Sequence, residues 1–136
     1  MKRLLATFAT VISVFACKSD VIVPEKLIGK WFHTNQVQYR TADGWGPWNT
    51  FVNITAIPPI EFTAKGNYLR DGKPGAECCT AGNKFTVLNN VIKFSDVLDC
   101  PQMSCMPCRE WSVLRLDTDS LVVESCGLRI KYARIK

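Results

Sequence analysis

From residue 27 onward, apolar and polar positions alternate in short runs separated by turn residues, and no stretch holds the 3.6-residue period of an amphipathic helix. Residues 84–88 and 91–94 flank Asn89-Asn90, which reads as a hairpin over a two-residue turn, because asparagine tolerates the positive φ that such turns require. Residues 61–63 and 68–70 read as a second hairpin, with Gly66 supplying the turn. A third joins residues 111–116 to 121–124 across 117–120, and residues 128–135 form the last strand, alternating strictly as far as Ala133. Further strands are expected over 27–40 and 48–54, so the domain is all-β with almost no helix. Sequential hairpins with short connections predict a small up-and-down antiparallel β-barrel of the mature chain, because closing a meander removes the exposed edges that invite aggregation. A two-sheet sandwich is the alternative architecture. Pro58-Pro59 interrupts pairing between the second and third strands, and residues 71–82 and 99–109 are loops.

Upstream of this pattern the chain changes character. Met1-Lys2-Arg3 is positively charged, and residues 4–16 form an apolar stretch. That is the length of a signal-peptide core and too short to span a bilayer, which predicts export. Val14-Phe15-Ala16-Cys17 resembles a bacterial lipobox, with an aliphatic residue at −3, a small one at −1 and cysteine at +1. Ordinary cleavage after Ala16 is the competing reading. The expected organisation is a lipoprotein signal peptide over 1–16, a tether over 17–26 and a barrel domain over 27–136, with Cys17 as the lipidation site. One acyl chain holds a protein only marginally, at about 0.8 kcal/mol per buried methylene, whereas the several chains of a bacterial lipoprotein anchor durably. Lys18-Ser19-Asp20 resembles the short tag that directs some lipoproteins to the outer face of the outer membrane, and a plain linker is the alternative. The expected location is the cell envelope, as an outer-membrane lipoprotein facing either the periplasm or the surface, with secretion as the alternative.

Seven cysteines in 136 residues point to an oxidising compartment. Lipidation of Cys17 would leave an even set: Cys78, Cys79, Cys100, Cys105, Cys108 and Cys126. Thiolates so spaced can hold zinc in a reducing compartment, but export favours three disulfides pinning the two loops. Adjacent cysteines rarely bond each other, so Cys78 and Cys79 are expected to reach different partners in the 100–108 loop, with Cys126 taking whichever cysteine remains. The sequence leaves the connectivity open. Cys105-Met106-Pro107-Cys108 has the form of a redox motif but lacks the βαβ setting that such motifs use.

Composition narrows the function classes. Hydrophobic residues make up 47% of the chain and charged residues 21%, as in an ordinary globular protein. Of the net charge of +5, Lys2 and Arg3 belong to the leader, which leaves 15 basic against 12 acidic residues, scattered as on a solvated surface rather than gathered for nucleic acid. The chain has one histidine, no Gly-x-Ser-x-Gly, no phosphate loop and no paired metal-binding histidines, so catalysis, a cofactor and a metal are not expected. Trp45 and Trp48, in a Gly/Pro-rich turn, either cap a pocket mouth or anchor their loop. Asn53-Ile54-Thr55 fits a glycosylation pattern that a bacterial leader makes irrelevant.

Leu27-Ile28-Gly29-Lys30-Trp31 opens the domain. A Gly-x-Trp on the first strand of a meander this size resembles the lipocalin-like (calycin-type) barrels, including small bacterial lipoproteins. The resemblance implies that Trp31 plugs one end of the barrel with Arg134 of the last strand stacked on it, and that the barrel binds a small hydrophobic or amphipathic ligand. Alternation from Trp31 places His33, Asn35, Val37 and Tyr39 on the inner face. Phe62, Phe85, Ile92 and Phe94, and on the last strand Ile130, Tyr132 and Arg134, are expected there too. The expected ligand wall is therefore Trp31, His33, Tyr39, Phe62, Phe85, Phe94, Tyr132 and Arg134, in a monomer. The alternatives are a barrel filled solidly by its own side chains, acting as a structural or protein-interaction module, and, less favoured, a metal-binding protein.

Overall fold

The computed structural model describes residues 23–136. The leader, Cys17 and residues 18–22 of the tether lie outside the described residues. The chain enters through a 3-10 turn, Glu25–Leu27, and forms eleven strands: β1 Gly29–Thr41, β2 Gly44–Trp45, β3 Asn49–Thr50, β4 Ile60–Phe62, β5 Tyr68–Arg70, β6 Lys73–Pro74, β7 Lys84–Leu88, β8 Val91–Ser95, β9 Glu110–Leu116, β10 Ser120–Ser125 and β11 Leu128–Arg134. Their order in the sheet is β6-β5-β4-β1-β11-β10-β9-β8-β7, all antiparallel, with β2 and β3 pairing locally with β1. This is a meander whose last long strand returns to the first. The two ends of the path meet where Asn67 bridges Lys84, with Phe85 N–H donating to Gly66 O at 2.9 Å and Tyr68 N–H to Asn83 O at 2.8 Å. One curled sheet closes on itself, as the hairpin pattern predicts, and the sandwich is set aside.

Turn chemistry explains the sharp reversals. Asn89 and Asn90 both have positive φ, 50° and 60°, and join β7 to β8 in the mirror-image turn that matches strand twist. Cys126 and Gly127 do the same between β10 and β11, at 46° and 77°.

Two expectations are corrected in the first third of the domain. Leu27 is not in a strand: it closes the 3-10 turn, is fully buried, and accepts a 3.0 Å hydrogen bond from Trp31 Nε1. The strand expected over 48–54 shrinks to Asn49–Thr50, which pairs only with Gln36 and Val37. The cause is a bulge in β1. Between His33, opposite Tyr132, and Val37, opposite Ile130, two residues more are used than on β11, and Asn35 turns to φ 62°. The extra length interrupts the regular ladder, and residues 51–59 form no strand, although the Phe51 N–H still donates to Asn35 O at 3.0 Å.

The core is a cluster of aromatic and aliphatic side chains inside the barrel. Phe62 and Phe85 meet edge to face at 5.0 Å, Tyr68 and Phe94 at 5.1 Å, and Phe94 and Trp111 at 4.9 Å, over Leu27, Ile92, Leu121 and Val123. Fully burying one such ring contributes about 1.5–3 kcal/mol.

Candidate functional site

The base of the barrel is built around the first-strand motif. Gly29 has φ 131°, open to glycine, and a Cβ there would lie 2.6 Å from Arg134 Nη1. The missing side chain lets the guanidinium lie 4.2 Å from the centre of the Trp31 ring while Nη1 donates to Ile28 O at 2.8 Å. Further hydrogen bonds run from Arg134 to the carbonyls of Thr118 and Lys26. Trp31 and Arg134 face each other in register, so the stacked plug that the Gly-x-Trp resemblance implies is present.

Above this plug the barrel is not solid. A half-enclosed cavity of about 390 Å³ lies between the bulge of β1, β5, β9, β11 and the disulfide loops. That is within the range of about 300–1,000 Å³ typical of small-molecule sites. Ile57, Pro58, Ile60, Trp111, Leu128 and Ile130 make it chiefly apolar, and His33, Tyr68, Arg70, Glu77 and Tyr132 supply polar atoms. Tyr68 and Arg70 are two residues apart on β5 and so share its inner face.

Of the residues expected at the ligand wall, the structure brings His33 and Tyr132 together at the cavity, their rings 5.5 Å apart. Trp31, Phe62, Phe85 and Phe94 are buried in the packed core, and Arg134 lies under the plug. Tyr39 pairs with Leu128, a cavity residue, yet is 55% exposed, because β1 runs past the rim before pairing with β2. Trp45 and Trp48 do not line the cavity. They fold back on the outward face of β11, with the Arg129 guanidinium 3.9 Å from the Trp45 ring and the Lys131 ammonium 4.1 Å from the Trp48 ring. They anchor their loop.

Sequence reasoning missed Tyr68, Arg70, Trp111 and the 57–58 segment. The Tyr68-Leu69-Arg70 triplet contained the signal for the first two, but a charged residue at a strand end reads as outward-facing until its ion pair with Glu77 is seen.

The thiols are paired as Cys78–Cys100, Cys79–Cys105 and Cys108–Cys126, with Cα separations of 5.9, 6.0 and 5.7 Å. Cys78 and Cys79 thus take different partners in the same loop, and Cys126 takes Cys108. This last bridge lines the cavity and ties the 99–109 loop to the β10–β11 turn.

Electrostatics in the cavity follow from burial. Desolvation holds the His33 pKa below its ordinary value; hydrogen bonding with the Asn35 side chain opposes this, and the Arg70 charge adds to the lowering. Burial pushes the Tyr68 and Tyr132 phenols well above the usual tyrosine range, and the nearby Arg70 charge offsets part of that rise. Near neutral pH the site therefore presents a neutral imidazole and two protonated phenols.

No family model matches this chain, and no curated protein does. Among solved structures, it is similar to a lipocalin-like protein from Bacteroides uniformis, at 19% identity over 81% of this chain and 99% of that one, with a TM-score of 0.48.

Proposed function

We propose that this is an exported protein, anchored to the cell envelope by lipid on Cys17, that binds a small hydrophobic or amphipathic molecule inside its barrel. The observation that carries the binding reading is the cavity of about 390 Å³, chiefly apolar in its lining, beside the packed aromatic core. The basic leader, its apolar core and the Ala16-Cys17 junction support the anchoring, and the paired thiols fit an oxidising compartment.

The test is organic extraction of natively purified protein, with mass spectrometry of the extract, followed by titration with apolar probes while tryptophan emission is recorded. Trp111 lines the cavity and should report occupancy. Replacing it with phenylalanine is expected to remove most of the response, whereas Trp48→Phe, outside the barrel, is expected to leave it. A barrel that carries nothing and takes up no probe would refute the reading. Intact mass of the same material checks the anchor through a diacylglyceryl adduct on Cys17.

A second reading rests on Leu98, Met103 and Met106, which stand 48%, 59% and 78% exposed on the loop between β8 and β9. Such a surface suits a protein partner. Partner capture that survives filling of the cavity but not Met106→Ser would favour it.

A further inference from the structure

Residues 51–54 run beside the β1 bulge and are held there by alternate residues. The Phe51 N–H donates to Asn35 O at 3.0 Å, the Phe51 ring meets His33 edge to face at 5.5 Å, and Asn53 Nδ2 donates to Asn35 Oδ1 at 3.3 Å. Between and beyond these fixed points stand Val52 and Ile54, 93% and 105% exposed. Among the described residues no other large apolar side chain reaches so far into solvent. The segment leads out of Trp48, whose ring carries the Lys131 ammonium at 4.1 Å, and beside it Trp45 has Arg129 at 3.9 Å and Arg40 at 6.0 Å. These three cations stand against Glu124, already paired with Arg129 at 3.0 Å, and Asp43 of the β1–β2 turn. Arg40 and Lys131 are in no ion pair among the described residues.

We propose that Val52 and Ile54 dip into the surface of a lipid bilayer, with Trp48 at the interface and Lys131 and Arg40 toward anionic headgroups. An apolar tip backed by indoles and long cationic side chains is the make-up of an interfacial anchor. A protein partner fits less well, because two projecting side chains cover far less than the roughly 800 Å² that a stable interface takes from each partner. Lipid sets no such minimum, since each apolar group gains from it independently. Tether length points the same way, and this step rests on the anchoring reading. Cys17 lies seven residues before Pro24, a reach of roughly 25 Å at full extension. Asn35, where the segment attaches, lies six residues along β1 from Gly29, about 20 Å at strand spacing. An acylated Cys17 and the 52–54 tip can therefore touch one bilayer together.

The test uses the full chain as the cell processes it, on phosphatidylcholine vesicles with and without phosphatidylglycerol, whose acyl chains carry bromine to quench tryptophan. Ile54→Trp puts a reporter at the tip. Leu88→Trp puts one near the entry of the tether, where Val87 and Asn90 border the same groove as Pro24 and Leu27. The tip reporter is expected to lose at least about half its emission, and more with phosphatidylglycerol than without, while Leu88→Trp loses no more than wild type. Changing Val52→Asp and Ile54→Asp together should abolish bromine quenching of Trp48 and leave the urea unfolding curve unchanged, because both side chains are already solvated. Lys131→Glu should weaken the dependence on phosphatidylglycerol. A quenched Leu88→Trp beside an untouched Ile54→Trp would show a barrel standing base-down on its tether and overturn the proposal. Quenching of Trp48 that survives the paired aspartates would do the same. Intact mass separates the two readings: a diacylglyceryl adduct with an unquenched tip removes only the present inference, and a quenched tip without the adduct removes only the anchor.

Discussion

Gly29→Ala is the sharpest single test of the barrel base. Two costs add. At φ 131° an alanine sits in a backbone region that belongs to glycine, a strain of about 2 kcal/mol. The new Cβ also falls 2.6 Å from Arg134 Nη1, so the guanidinium must leave the Ile28 carbonyl and slide off the Trp31 ring. Because Arg134 is partly solvated, that displacement costs about 1–2 kcal/mol rather than the full value of a buried pair. The expected loss is about 3–4 kcal/mol in urea unfolding under non-reducing conditions, against a total typical of a domain this size of about 5–15 kcal/mol. The two costs separate in a double-mutant cycle. In an Arg134→Met background the clash is gone and only the backbone strain remains, so Gly29→Ala should then cost about 2 kcal/mol, with a coupling of about 1–2 kcal/mol. A Gly29→Ala protein within about 1 kcal/mol of wild type, or one whose loss is the same with and without Arg134, would refute this account of the Gly-x-Trp motif.

Three further outcomes follow from the same geometry. Replacing both Cys108 and Cys126 by serine opens a loop of 18-residue separation, and loop-closure entropy gives a loss of about 3 kcal/mol, read as a lower thermal midpoint together with weaker probe binding as the cavity wall loosens. Gly82→Ala places a methyl group against the backbone carbonyl of Ser95, a contact no rotamer relieves, and should cost about 2–3 kcal/mol or prevent soluble expression; full stability would show that the turn moves freely. His33 has its folded pKa below the unfolded 6.5, so the unfolded chain takes up the proton first, and stability should fall as pH drops from 6.5 toward the folded value. Unfolding curves at pH 7 and pH 5 should therefore differ less for His33→Gln than for wild type, and an identical difference would assign the acid sensitivity to carboxylates.

The periodic parts of this fold were open to reading from sequence because their determinants are local. Alternation fixed the inner faces of β7, β8 and β11, and Asn89-Asn90 fixed a turn because its positive φ values are a property of those two residues. Where a long-range constraint competed, local reading failed. Trp48 to Ile54 has strand composition, but beside the bulge in β1 its ladder pairing stops at Thr50, with one further hydrogen bond from Phe51 N–H to Asn35 O. Asn35 carried the one available hint, since asparagine enters the left-handed region readily, yet many asparagines in strands do not.

The sequence by itself determined an antiparallel all-β domain with six cysteines to staple its loops, and the resemblance carried by its Gly-x-Trp implied an indole and a guanidinium sealing one end. The tertiary structure decided which bridges form and, among inward-facing residues, which pack and which line empty space. Phe62, Phe85 and Phe94 point inward as expected and pack in the core, while His33 and Arg70 line the cavity and Tyr68 and Tyr132 do both. Height along a barrel axis is set by register and by bulges between strands distant in sequence, and burial follows height. Alternation along one strand says which way a side chain points, and only its neighbours across the sheet decide what it meets there.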